Sequence, residues 1–185
     1  VEVRGSVAAK MHDIEVEDFA EASMTFKDGG TGYLYCSTNE PGPVDSIEVY
    51  GDEGKLIYRG GTLKFYRFDP AVSRFTRENR EMWASPKCEE VPLEIGIQPT
   101  GHADVIRNFA RHILYGEELL CDAARGLGQL ELANAIILSG HTRKPVKLPL
   151  DRKAYTRLLE KLRKTSRYSQ KADVTMRITD PRFAR

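Results

Sequence analysis

The sequence predicts an α+β domain, built as an open, mainly antiparallel sheet with helices packed on one face. Three observations carry this reading. Apolar and polar residues alternate with period two through most of the first hundred positions. Gly-, Pro- and Asp-containing turns interrupt that alternation at short intervals, and after Pro99 the apolar spacing becomes helical. The strands come first and the helices afterwards, which is not the alternating order that builds a parallel sheet.

The chain opens inside an apparent strand. In positions 14–26, Ile14, Val16, Ala20, Ala22, Met24 and Phe26 fall on one face, while Glu15, Glu17, Glu21, Ser23 and Thr25 fall on the other. This predicts a strand with one buried side. Lys27-Asp28-Gly29-Gly30 supplies a hairpin turn, because glycine reaches positive φ without steric cost. Residues 31–38 return as its partner, with Tyr33 and Tyr35 opposite Leu34 and Cys36. Pro41-Gly42-Pro43 breaks the pairing. Short strands over 46–50, 55–58 and 62–68 come next, separated by Gly51-Asp52-Glu53-Gly54 and Gly60-Gly61. The charged segment 69–86 reads as an irregular surface loop, and 88–95 as a last strand. Tyr33, Tyr35, Tyr50 and Tyr66 are candidates for a sheet face left open to solvent, a ligand or another subunit.

Val105, Ile106, Phe109 and Ile113 then mark one helix, stopped by Gly116 in a left-handed cap. Asp122 caps a second helix, whose apolar face comprises Leu127, Leu130, Ala133, Ile136 and Ile137, with Asn134 inside the stripe. The small residues of Gly126-Leu127-Gly128 predict close packing of that helix on the sheet. Pro145 and Pro149 bracket an extended piece over 146–148. Asp151 caps a third helix bearing Tyr155, Leu158, Leu159 and Leu162. The reading divides the chain into a domain over 1–163 and a basic extension over 164–185, with a late strand over 174–178.

Composition excludes several classes. The 185 residues are 41% hydrophobic and 30% charged, as in a globular domain. No stretch approaches the roughly 20 apolar residues of a membrane span. The three cysteines, Cys36, Cys88 and Cys121, form no CxxC pair and have no histidine at ligand spacing. They read as buried or half-buried free thiols in a cytoplasmic protein, without a metal site. Residues 1–150 carry 17 basic and 23 acidic side chains, whereas 151–185 carry 11 basic and 4 acidic ones. Few aromatics interleave that basic run and no nucleic-acid motif is present, so a solvated helix face with a polar extension is preferred to a nucleic-acid surface.

Catalytic patterns are mostly lacking. There is no GxGxxG, GxxxxGK[ST], HExxH or GxSxG. Glu15, Glu17 and Glu21 share one strand face while Asp18 points with the apolar set, so this acidic run does not converge on a cation. His102 opens a helix in Thr100-Gly101-His102-Ala103-Asp104. The positive helix end favours a neutral, hydrogen-bonding imidazole there, and a helix-start residue packed on the sheet edge is the alternative. His112 and His141 close helices, where a cation is mildly stabilising.

Four segments, in order, carry a resemblance. They are Val16-Glu17-Asp18-Phe19-Ala20 with Phe26-Lys27-Asp28-Gly29-Gly30-Thr31-Gly32; Ile47-Glu48-Val49-Tyr50-Gly51-Asp52-Glu53-Gly54-Lys55-Leu56; His102 through Phe109 to Ile113; and Glu131-Leu132-Ala133-Asn134-Ala135-Ile136 through Lys144-Pro145-Val146, Leu148-Pro149 and Tyr155. Together they resemble the C-terminal domain of the Gfo/Idh/MocA oxidoreductases, relatives of glucose–fructose oxidoreductase and inositol dehydrogenase, over roughly residues 10–163.

The resemblance implies an NAD(P)-dependent parent enzyme that acts on a sugar, polyol or related small molecule. The family's Rossmann domain, its catalytic Lys and its Asp and His all precede the point matching Val1. This sequence also lacks an initiator Met, so it is expected to be an inactive fragment with no catalytic or cofactor-binding residue of its own. What remains implies one wall of the substrate site and an oligomer interface on the open sheet face. His102 is the first candidate near substrate, with Trp83 and Arg80 second. For Trp83, stacking on a sugar ring and partial core burial are both open. A non-catalytic binding or dimerisation module, or a redox-neutral NAD-dependent glycosidase, are the alternatives on this scaffold. Substrate identity, NAD against NADP and reaction direction are not readable from the residues.

Overall fold

The computed structural model describes residues 1–42, 45–94 and 101–167. The elements are β1 (Glu2–Ala8), β2 (Phe19–Thr25), β3 (Thr31–Ser37), β4 (Ser46–Tyr50), β5 (Gly54–Arg59), β6 (Thr62–Asp69), α1 (Val72–Glu78), β7 (Lys87–Val91), α2 (His102–Tyr115), α3 (Ala123–Thr142), β8 (Val146–Lys147) and α4 (Arg152–Thr165). The α+β class is as expected. The strands are divided between two four-stranded antiparallel sheets, in the orders β3-β2-β1-β8 and β4-β5-β6-β7. Two compact units share the same division: Val1–Asn39 with the chain from Gly126, and Glu40–Arg125. The expected strand over 174–178 and most of the extension lie outside the described residues.

In the first unit the pairings Val3↔Met24, Gly5↔Ala22 and Ala22↔Leu34 put Val3, Val7, Ala20, Ala22, Met24 and Leu34 on one face. Ala135, Ile136 and Leu138 of α3 and Leu150 cover it, with Ala154, Tyr155 and Leu158 of α4 alongside. The opposite face leaves Tyr33 and Tyr35 exposed. Helices on one face and water on the other is the usual economy of an antiparallel sheet.

The helix α3 lies unusually close to the central strand. A Cβ at Gly5 would stand 2.7 Å from the Ile136 carbonyl oxygen, and one at Gly140 would stand 2.7 Å from Val7 Cγ2. These two glycines make the close packing expected of Gly126 and Gly128, which instead have nothing within 4 Å. Ser139 secures the crossing. Its buried Oγ accepts from Gly5 N at 2.9 Å and donates to Lys144 O at 2.7 Å. β8 pairs only with Glu2 and Val3, so the hydroxyl bridges backbone groups just where that ladder has ended.

Several local expectations are corrected. β2 begins at Phe19, not Ile14, and Ile14 and Val16 are exposed. Asp18, expected among the apolar set of a strand, is a buried carboxylate that organises the preceding link. Its oxygens accept from Lys10 N (2.7 Å), Met11 N (2.9 Å), His12 N (2.9 Å) and the His12 ring (3.0 Å). Phe19 is buried on the sheet's outer side, under Lys10 and edge-on to Tyr35. The buried side of α3 carries Ala135, Ile136, Leu138 and Ser139, while Leu127 and Leu130 of the expected stripe are exposed. All three cysteines are exposed rather than buried.

In the second unit, Ile47↔Tyr58, Val49↔Leu56 and Leu56↔Phe65 align on one sheet face. The segment 69–86, expected to be irregular, contains α1. This short helix starts against the turn after β4, where Asp52 accepts from Ser73 N and Ser73 Oγ, both at 2.7 Å. Its carboxyl is held below the ordinary carboxylate range, first by the Ser73 hydroxyl and then by the Ser73 amide. The terminal signals read as expected: Gly116 has φ 72° beyond α2, and Asp151 Oδ1 accepts from Lys153 N and Ala154 N to start α4.

Candidate functional site

A cleft of about 600 Å³ lies within the first unit. Three elements build it. The last turns of α3 present Ile137 and His141, four residues apart and so on one helix face. α4 presents Tyr155, Leu159 and Leu162 at the same kind of spacing, and the link before β2 adds Glu15, Val16 and Glu17. Its lining is therefore apolar, with a charged rim. Partial burial first, and then the negative charge of Glu17, push the Tyr155 phenol above its ordinary pKa, so it stays protonated as a donor. Glu15 accepts from Ser166 Oγ and Arg167 N just beyond α4. A second cleft of about 300 Å³ lies beside Leu127, Leu130, Asn134 and Arg152.

No group of three potential metal ligands occurs among the described residues, and no helix among them is long and apolar enough to cross a membrane. Every strand pairing described is antiparallel. A dinucleotide cradle of the usual kind needs a strand, a glycine turn and a helix in a parallel βαβ unit. The described residues form no such unit, and Gly126-Leu127-Gly128 lies within α3.

The three residues singled out for substrate lie elsewhere, in the second unit, and none lines either cleft. His102 is the exposed first residue of α2, and Gly101 N before it donates to Asp104 Oδ2 at 3.2 Å. Arg80 and Trp83 are exposed in the link between α1 and β7. Trp83 is 93% exposed, which removes core burial as its role. Sequence reasoning passed over the cleft because its walls come from distant segments. Glu15 and Glu17 read as a solvated strand face, and His141 as a helix end.

Comparison with known proteins agrees with this architecture. No curated protein matches the sequence. Residues 1–57 match the family model of the GFO/IDH/MocA C-terminal domain. Among solved structures, the chain is similar to the WlbA dehydrogenase from Bordetella pertussis in complex with NADH and UDP-GlcNAcA. That similarity has 21% identity and a TM-score of 0.57, over 81% of this chain and 39% of the other. It is similar also to UDP-N-acetylglucosamine 3-dehydrogenase GnnA from Acidithiobacillus ferrooxidans, with 20% identity, a TM-score of 0.54, and coverage of 75% and 39%. An NAD-binding protein from Listeria innocua gives 19%, 0.55, and 78% and 40%. The chain thus spans about two fifths of the length of each. It shares its fold with these three proteins over that part of their length, and over residues 1–57 it carries the sequence pattern of the GFO/IDH/MocA C-terminal domain.

Proposed function

We propose that this chain is the C-terminal, substrate-binding and oligomerisation domain of an NAD(P)-dependent oxidoreductase acting on a sugar, polyol or related compound. The observation that carries the reading is the fold shared with two sugar-nucleotide dehydrogenases, joined to the family pattern over residues 1–57. A sugar nucleotide is therefore the first substrate class to test. In this reading the cofactor and the hydride-transfer residues belong to sequence outside these 185 residues, and this chain shapes and closes the substrate site. His102, Arg80 and Trp83 are its proposed substrate-facing residues. An exposed indole offers a flat apolar surface to a sugar ring, and a nearby guanidinium offers paired donors to hydroxyl or phosphate oxygens.

The test is turnover by the full-length protein with NAD and a panel of sugar nucleotides, free sugars and polyols. NADH is expected to accumulate with a member of that panel. Trp83→Ala is expected to raise KM about tenfold while kcat changes little, the signature of lost uniform binding. Turnover without net NADH would move the protein to redox-neutral glycoside chemistry. No turnover and no thermal shift with any member would overturn the enzyme reading. The proposed oligomer uses the outer face of the first sheet, where Tyr33 and Tyr35 are exposed. Sedimentation is expected to show a species that Tyr35→Lys shifts toward monomer, and a wild-type monomer at high concentration would count against it.

A further inference from the structure

We propose that β4, an edge of the second sheet, pairs antiparallel with β4 of a second copy of this chain, about a two-fold axis at Val49. Among the described residues β4 pairs only with β5, so its other side is open. The two edges of this sheet are built differently. β7 starts directly after Pro86 and carries Lys87, Glu89 and Glu90, the kinds of residue that guard an edge against strand addition. β4, Ser46-Ile47-Glu48-Val49-Tyr50, holds no proline or lysine, and its Ile47 and Val49 are 63% and 54% exposed. An unguarded edge with apolar side chains is a template for a further strand.

The backbone decides which residues bond outward. Gly51 N donates to Gly54 O at 2.9 Å and Gly60 N donates to Asp45 O at 3.5 Å, so positions in step with these turn their N–H and C=O toward β5. Ser46, Glu48 and Tyr50 alternate with them and aim their backbone groups at the open side. Side chains then select the register. A two-fold axis at Glu48 sets two carboxylates directly opposite each other, which is unfavourable. An axis at Ile47 sets Asp45 beside the partner's Val49. An axis at Val49 sets valine on valine and puts Glu48 opposite the partner's Tyr50. That pairs a carboxylate with a phenol that already donates to Glu48 within the strand. Because Glu48 and Tyr50 both bond outward, each such pair exchanges two backbone hydrogen bonds. The apolar face of Ile47, Val49, Leu56 and Phe65 then runs on across the axis.

Disulfide trapping in the full-length protein tests the register, with the exposed Cys36, Cys88 and Cys121 each replaced by serine. Oxidation is expected to join Val49→Cys into a dimer. A directly opposed pair without backbone bonds has Cα atoms roughly 4.5 Å apart, within disulfide reach. Ile47→Cys faces the partner's Gly51 and stands roughly 13 Å from its own counterpart, so it is expected to join at least about tenfold less. Sedimentation of Tyr35→Lys protein, which lacks the interface proposed for the first sheet, is expected to show a dimer. Val49→Lys is expected to weaken that dimer about tenfold or more, by setting like charges on the axis. Using the Tyr35→Lys background keeps failure of this interface distinct from failure of the other. A monomer at high concentration in that background overturns the proposal. So does a dimer indifferent to Val49→Lys, no joining at Val49→Cys, or joining at Ile47→Cys that equals or exceeds it.

Discussion

Gly5→Ala is expected to destabilise the first unit by about 3 kcal/mol, the upper end of the range for overpacking a core. Elsewhere the same change stabilises, because alanine narrows the unfolded ensemble. Here the new Cβ would stand 2.7 Å from the Ile136 carbonyl oxygen and 3.1 Å from Ile136 Cα. Those atoms are helix backbone, so relief requires α3 to retreat from β1. That retreat would loosen Ala135, Ile136 and Leu138 against the sheet and part Ser139 from the Gly5 amide. Gly128→Ala is the control on the same helix. Nothing lies within 4 Å of it, so it is expected to stabilise by about 0.8 kcal/mol through helix propensity. Urea unfolding of both variants measures the difference. A Gly5→Ala protein within about 0.5 kcal/mol of wild type would show that the crossing relaxes freely.

Asp18→Asn is expected to lower Tm at neutral pH by on the order of 10 °C. Burial alone would raise the pKa of this carboxyl. The amides of His12, Met11 and Lys10 and the His12 ring donate to it, outweigh burial and hold it far below the ordinary carboxylate range. An asparagine keeps one acceptor oxygen and places an amide donor where the other received hydrogen bonds. Because the folded pKa lies below the unfolded one, the carboxylate's contribution is complete at neutral pH. It is lost progressively as pH falls below about 4, the unfolded value. The Tm gap between wild type and variant should therefore be constant above about pH 5 and narrow toward acid. A gap that widens on acidification would falsify this account.

Local signals were the most legible. Gly29 takes φ 88° in the turn after β2, Gly116 φ 72° after α2, and Asp151 caps α4, because each is decided by a few neighbouring residues. The period-two pattern located β2 and β3 but overran at Ile14. That link is set by hydrogen bonds to one buried carboxylate, which alternation does not register. α1 escaped because seven residues hold too little periodicity, and its start is secured by Asp52, 21 positions earlier. The face of α3 was misjudged for a related reason. Burial there is governed by the two tight crossings at Gly5 and Gly140, whereas Leu127 and Leu130 only continue its apolar stripe. The cleft could not be read locally, since Glu17, His141 and Tyr155 meet only in the folded unit.

The Ser139 hydroxyl has a consequence for motion. Its single proton is donated to the Lys144 carbonyl, and one of its two lone pairs accepts from the Gly5 amide. That amide is paired with a helix side chain while the helix is seated, although it belongs to a strand. Its exchange is therefore expected to report the free energy of the sub-global opening that lifts α3. A strand amide thus reports on the seating of a helix.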